Sequence, residues 1–155
     1  FVADCTIESD LELRLPADYV PQESERISLY QQLDNIETPE QIELFRTNLR
    51  DRFGTIPLIS EELIKVVPLR MAARRLGVER LALKGGKMRM YFVGDDNKAY
   101  YQSPAFGKVL AYLRTNPLRC ELRDVNGKRS ILIDKISTVS EALDILSFME
   151  QSKPA

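Results

Sequence analysis

Val78-Glu79-Arg80-Leu81-Ala82-Leu83-Lys84-Gly85-Gly86-Lys87-Met88-Arg89-Met90-Tyr91-Phe92-Val93 stands at the middle of the chain. Two runs, Val78–Lys84 and Lys87–Val93, flank a Gly-Gly pair, which is the pattern of a β-hairpin. Arg119–Val125 and Lys128–Ile133 repeat the arrangement around Asn126-Gly127, the strongest short signal for a type I′ turn. The two hairpins predict one antiparallel sheet with helices packed on it, an α+β architecture.

An N-terminal strand and three helices precede this sheet. Residues 6–15 alternate, with Ile7, Leu11, Leu13 and Leu15 on one side and Glu8, Asp10, Glu12 and Arg14 on the other. A helix over 24–36 is expected to bury Ile27, Tyr30 and Leu33. Thr38-Pro39-Glu40-Gln41 is a helix start: Thr38 caps, Pro39 suits the first turn, and Gln41 occupies the reciprocal position of a capping box. Ile42, Phe45, Leu49 and Phe53 form its apolar stripe, and Gly54 its end. A third helix over 60–76 contains Pro68, which removes one backbone bond and predicts a kink or two short helices. Between the hairpins, a helix begins at Ser103-Pro104 and buries Phe106, Val109, Leu110 and Leu113. The last helix starts at Thr138 and buries Val139, Ala142, Leu143, Leu146 and Met149. Residues 1–155 read as a single domain, with 152–155 frayed.

The composition, 44% hydrophobic and 29% charged, is that of a globular chain rather than a disordered one. No apolar run approaches the length of about 20 residues needed to span a membrane. The chain opens at Phe1 without an initiator Met and reads as part of a longer protein. Cys5 and Cys120 lie in no metal or redox spacing; they read first as lone thiols in a reducing cytoplasm, and second as a distant disulfide pair. Residues 1–64 hold 14 Asp/Glu against 5 Lys/Arg, and residues 65–155 hold 9 against 17. Such halves either present opposite faces to partners or pair with each other.

Enzymatic chemistry is not expected. The chain has no histidine, which removes the commonest general base and metal ligand. Lys84-Gly85-Gly86-Lys87 lies between strands, whereas a phosphate loop leads from a strand into a helix. No cofactor or metal is implied. Between Arg70 and Arg89 stand seven basic residues, among them Arg70, Arg74 and Arg75, with Glu79 the only acid. They form a solvated or docking face, or alternatively a nucleic-acid-binding appendage spanning 70–89. Asp51 breaks a local rule, because it sits in the last turn of its helix near the negative end of the dipole. Either Arg50 or Arg52 neutralises it, or it faces a cation on another surface.

Ser24-Glu25-Arg26-Ile27-Ser28-Leu29-Tyr30-Gln31-Gln32-Leu33, Leu49-Arg50-Asp51-Arg52-Phe53-Gly54 with Pro57, and Leu69-Arg70 through Ala73 to Leu76-Gly77-Val78 resemble, in that order, the C-terminal domain of bacterial transcription-repair coupling factors. The similarity runs from about residue 8 to residue 149. It implies a parent that is an ATP-driven DNA translocase, removing stalled RNA polymerase and recruiting nucleotide excision repair. The motors would lie outside this chain, and DNA would be bound by the parent rather than by this domain. The resemblance further implies an autoinhibitory role: the domain packs on the parent's UvrB-like module and covers its UvrA-binding surface. Acidic residues beside the Asp-Arg-Phe-Gly block make that contact in the family. The implied partner-binding set is Asn48, Asp51, Arg52 and Phe53. Asp51 matches a family carboxylate, while Asn48 stands where relatives often have Glu and carries no charge for an Arg partner.

Overall fold

The computed structural model describes residues 1–155. The chain divides into two compact units, one of residues 1–11 and 69–155, the other of residues 12–68.

The first unit is built on a five-stranded sheet. Its strands are β1 (Thr6–Ser9), β2 (Val78–Lys84), β3 (Lys87–Gly94), β4 (Cys120–Val125) and β5 (Lys128–Asp134), in the spatial order β1-β2-β3-β5-β4. Both expected hairpins are present and antiparallel. Asn126 and Gly127 hold φ of 53° and 76°, the two positive values a type I′ turn requires. β3 pairs antiparallel with β5, joining the hairpins, while β1 adds in parallel to β2. The sheet is therefore mixed.

The N-terminal strand is shorter than the alternation of residues 6–15 suggests. Asp10 N still donates to Leu83 O, but Leu11 N turns to the Ser9 hydroxyl, and the ladder ends there.

One face of the sheet is apolar. Leu81, Leu83, Met88, Met90, Phe92, Ile131 and Ile133 are all buried on it. α4 (Lys98–Tyr101), α5 (Pro104–Thr115) and α6 (Val139–Gln151) belong to the same unit, and residues of α4 and α5 pack on this face. Phe92 meets Tyr100 and Phe106 with ring centroids 6.2 and 5.8 Å apart. The Tyr100 hydroxyl donates to Leu76 O at 2.6 Å. The short α4 carries no apolar periodicity, and only the Asn97 side chain, accepting from Tyr100 N, marks its start.

In α5 the buried face is Phe106, Val109 and Tyr112, with Leu110 and Leu113 only half-buried. In α6 Ile145 is buried and Leu143 half-buried. The rest of each expected stripe is buried: Phe106 and Val109 in α5, and Val139, Ala142, Leu146 and Met149 in α6. The tail runs back along α5, where Ala155 N donates to Gly107 O at 2.9 Å.

The second unit contains α1 (Glu23–Asp34), α2 (Pro39–Phe53) and the first part of α3 (Leu58–Arg75). α1 buries Leu29 and Leu33, an i, i+4 pair, and leaves Ile27 49% exposed, which corrects the expected stripe. Tyr30 is half-buried, and its hydroxyl accepts from Leu15 N at 2.8 Å. The alternating residues before α1 thus end in a side-chain contact rather than a strand. α3 is one unbroken helix through Pro68, not two short ones. Ser60, fully buried, donates its hydroxyl to Arg14 O at 2.9 Å.

Candidate functional site

α2 starts with the full capping box. Gln41 N donates to the Thr38 hydroxyl at 3.2 Å, and Thr38 N donates back to the Gln41 side-chain oxygen at 3.2 Å. The box fixes the first turn, and Ile42, Phe45 and Leu49 then fall on the buried side. Phe53 is half-buried. At the other end Gly54 adopts φ 87°, and the Tyr19 hydroxyl donates to its carbonyl at 2.7 Å. Tyr19 also packs on Phe53, ring centroids 5.8 Å apart. Burial raises the Tyr19 pKa, Glu61 adds to the rise, and Arg50 opposes it.

With one side of α2 buried, Asn48 and Asp51 face outward three residues apart, both exposed. They line a cleft of about 200 Å³ with Arg52, Phe53, Leu29 and Gln32. Asn48 also borders an adjoining groove of about 440 Å³, lined by Ser28, Gln31, Gln32, Asn35, Gln41 and the exposed Leu44. The four residues Asn48, Asp51, Arg52 and Phe53 thus share one cleft between α1 and α2. Sequence reasoning missed its opposite wall, Leu29 and Gln32 of α1, because no motif marks it.

The electrostatics of the cleft depend on Arg52. Its guanidinium pairs with Glu25 of α1 and lies 4.7 Å over the Phe53 ring. Asp51 enters no ion pair. Of the two arginines that could neutralise it locally, Arg52 is engaged elsewhere and Arg50 pairs with no acid. An exposed carboxylate at a helix C-terminus gains nothing from its own helix. Beside the Asn48 amide it can accept hydrogen bonds from a guanidinium or ammonium group on another surface. The cleft holds no nucleophile–base pair, and no group of three acidic or Cys side chains gathers to bind a metal.

Arg70, Arg74 and Arg75 lie in the last turns of α3. Arg70 is 4.0 Å from Asp4, and Arg75 forms a forked pair with Glu150 at 2.6 and 3.0 Å. Only Arg74 is both exposed and unpaired. The three are therefore not brought together as one free patch. Cys5 and Cys120 are free thiols, Cys5 buried. No helix is long and apolar enough to cross a membrane.

A profile of the TRCF domain family matches residues 9–103. The transcription-repair-coupling factor of Staphylococcus epidermidis is 33% identical over 87 residues, covering 56% of this chain and 7% of that protein. The factor of Escherichia coli is 31% identical over 78 residues, 48% of this chain and 7% of that protein. The factor of Rickettsia conorii is 28% identical over 146 residues, 91% of this chain and 12% of that protein. A crystal structure described as the C-terminal domain of transcription-repair coupling factor superposes with a TM-score of 0.74 at 19% identity, covering 96% of this chain and 91% of that one, and shares the fold. The matched region thus spans about a tenth or less of these curated relatives. A profile match over well more than half of the residues makes the chain a member of the TRCF domain family.

Proposed function

We propose that the chain is a non-catalytic regulatory module of a transcription-repair coupling factor. In this reading, residues 1–155 work as one unit. The α1–α2 cleft docks on the UvrB-like module of the same parent and masks the surface that binds UvrA. The parent is an ATP-dependent DNA translocase acting in the cytoplasm on stalled RNA polymerase, and its motors and main DNA-binding surfaces lie outside this chain. Transcription-coupled nucleotide excision repair is the process served.

The observation that carries the reading is the unpaired Asp51 carboxylate at the mouth of the cleft, beside an Arg52 already held by Glu25. A carboxylate left uncompensated by its own fold is suited to a cation on a partner. Membership of the TRCF domain family and the names of the relatives support the assignment to a coupling factor; the choice of partner rests on the sequence resemblance around Asp51.

The test is calorimetric titration of this chain with the separately produced UvrB-like module of its parent. The expected result is a saturable one-to-one complex that weakens as salt is raised. Absence of binding at millimolar concentration and low salt would remove the proposed contact.

A further inference from the structure

Four cations of the central hairpin open into a single concavity. Arg80 and Lys84 of β2 and Lys87 and Arg89 of β3 line a cleft of about 370 Å³. It lies on the face of the sheet opposite the buried Leu81, Leu83, Met88 and Met90. The register gathers them: Lys84 pairs with Lys87 and Ala82 with Arg89, so alternate residues of both strands rise on the same side. Ala82 and Leu132 form the floor, and no carboxylate lines the cleft.

The nearby acids cancel this charge only in part, and Asp10 is engaged by Gly85 N at the hairpin turn at 2.9 Å. Glu8 of β1 takes Arg80 at 2.9 Å and Lys84 at 3.3 Å, and these two cations hold its carboxyl below the usual carboxylate value. Arg89 has the neutral Ser130 hydroxyl as its hydrogen-bond partner, at 3.2 Å. Lys87 stands opposite Asp134 in the register but forms no ion pair with it. Glu121, on the far side of Leu132, is paired with Arg123. Lys87 and Arg89 are therefore uncompensated, and like charges gathered in a concavity concentrate anions.

The surroundings select the kind of anion. β2, β3 and β5 are each hydrogen-bonded on both sides, so a peptide lying here cannot add as a strand. It would lose the main-chain bonds that give extended peptides their affinity. A phosphodiester backbone requires only cations. The Arg80 guanidinium lies 4.6 Å over the Tyr91 ring and covers the face on which a base would stack. The geometry points to a nucleic-acid phosphate site, bound through Lys87 and Arg89 without base readout, with Arg80 and Lys84 restrained by Glu8. This site is independent of the α1–α2 cleft, and either can fail without the other.

The test is anisotropy titration of a labelled random-sequence DNA duplex with the full chain between 50 and 200 mM salt. Wild type is expected to bind weakly, with log K falling against log salt at a slope of about −1.8, as for two neutralised phosphates. Lys87→Glu with Arg89→Glu should weaken binding at least about tenfold. Glu8→Gln should tighten it and steepen the slope towards about −3.6, because Arg80 and Lys84 are released. Arg74→Ala with Arg75→Ala, at the end of α3, should leave it unchanged, with circular dichroism verifying the fold of each variant. The proposal is overturned if Glu8→Gln binds no tighter, or if the Arg74/Arg75 change abolishes binding while the Lys87/Arg89 change does not. It is also overturned if polyglutamate of equal charge displaces the DNA as well as unlabelled duplex does, since the cleft would then suit an acidic protein.

Discussion

Arg52 is held by Glu25, across the gap between α2 and α1, and its guanidinium covers the Phe53 ring. This one pairing decides the character of the neighbouring Asp51, which is left without a cation. The pair itself contributes little to stability, because Arg52 is 56% exposed. Arg52→Ala and Glu25→Ala should each lower the unfolding free energy by no more than about 1 kcal/mol. Urea unfolding midpoints measure this. A loss several times larger would mean that the pair is a structural element of the α1–α2 packing.

Thr38→Ala should cost more than either, about 0.5–2 kcal/mol, because it removes the acceptor of Gln41 N and breaks the reciprocal box. The same urea series checks the ranking. Thr38→Ser, which keeps the acceptor, should recover most of the loss.

Gly77 and Gly86 separate conformation from space. Both have positive φ, 82° and 72°. A Cβ on Gly77 would stand 2.1 Å from the Tyr100 ring, whereas one on Gly86 meets nothing within 4 Å. Gly86→Ala should cost about 1 kcal/mol, the left-handed penalty alone. Gly77→Ala should cost about 2–4 kcal/mol, because overpacking is added. Equal losses in thermal melts would contradict the close fit of Tyr100.

Some of this architecture was legible because its signals are local. Asn126-Gly127 marks a turn by needing two positive φ values, and Thr38 and Gln41 mark a helix start by bonding each other. The parallel pairing of β1 with β2 was not legible, because its partners lie more than 70 residues apart and share no motif. The end of β1 was misread because Leu11, Leu13 and Leu15 keep a strand's alternation although the ladder stops at Asp10. At the candidate site, the buried side of α2 was legible from its apolar stripe, whereas the exposure of Asn48, beside the buried Leu49, was not. That Arg52 turns to Glu25 instead of Asp51 depends on how α1 packs, which helix spacing does not encode.

Cys5 gives a pH dependence. Burial, reinforced by Asp4, pushes its thiol up to about 12, against an ordinary value near 9. The unfolded chain therefore loses this proton first as pH rises. The contribution of the neutral buried thiol is complete below about pH 9 and declines as pH climbs towards 12. Tyr100, raised by its burial and then by Tyr101, acts in the same direction above its ordinary value of 10. Stability measured by urea should fall above pH 9, and Cys5→Ala should show a shallower decline. At pH 8 the folded chain should protect Cys5 from alkylation, and denaturant should expose it. Rapid alkylation of Cys5 in the folded chain would contradict its burial.

Asp51 is the residue proposed to hold the domain against the UvrB-like module. The direct measurement is UvrA binding to the full parent protein, wild type against Asp51→Lys, with circular dichroism as the folding control. Asp51 is exposed and unpaired, so the variant should fold normally. Breaking a desolvated charge pair costs about 2–5 kcal/mol, and the low end is expected because Asn48 contributes no second charge. Asp51→Lys is expected to bind UvrA more tightly than wild type, by roughly tenfold or more. A folded variant that binds UvrA no better than wild type would contradict it.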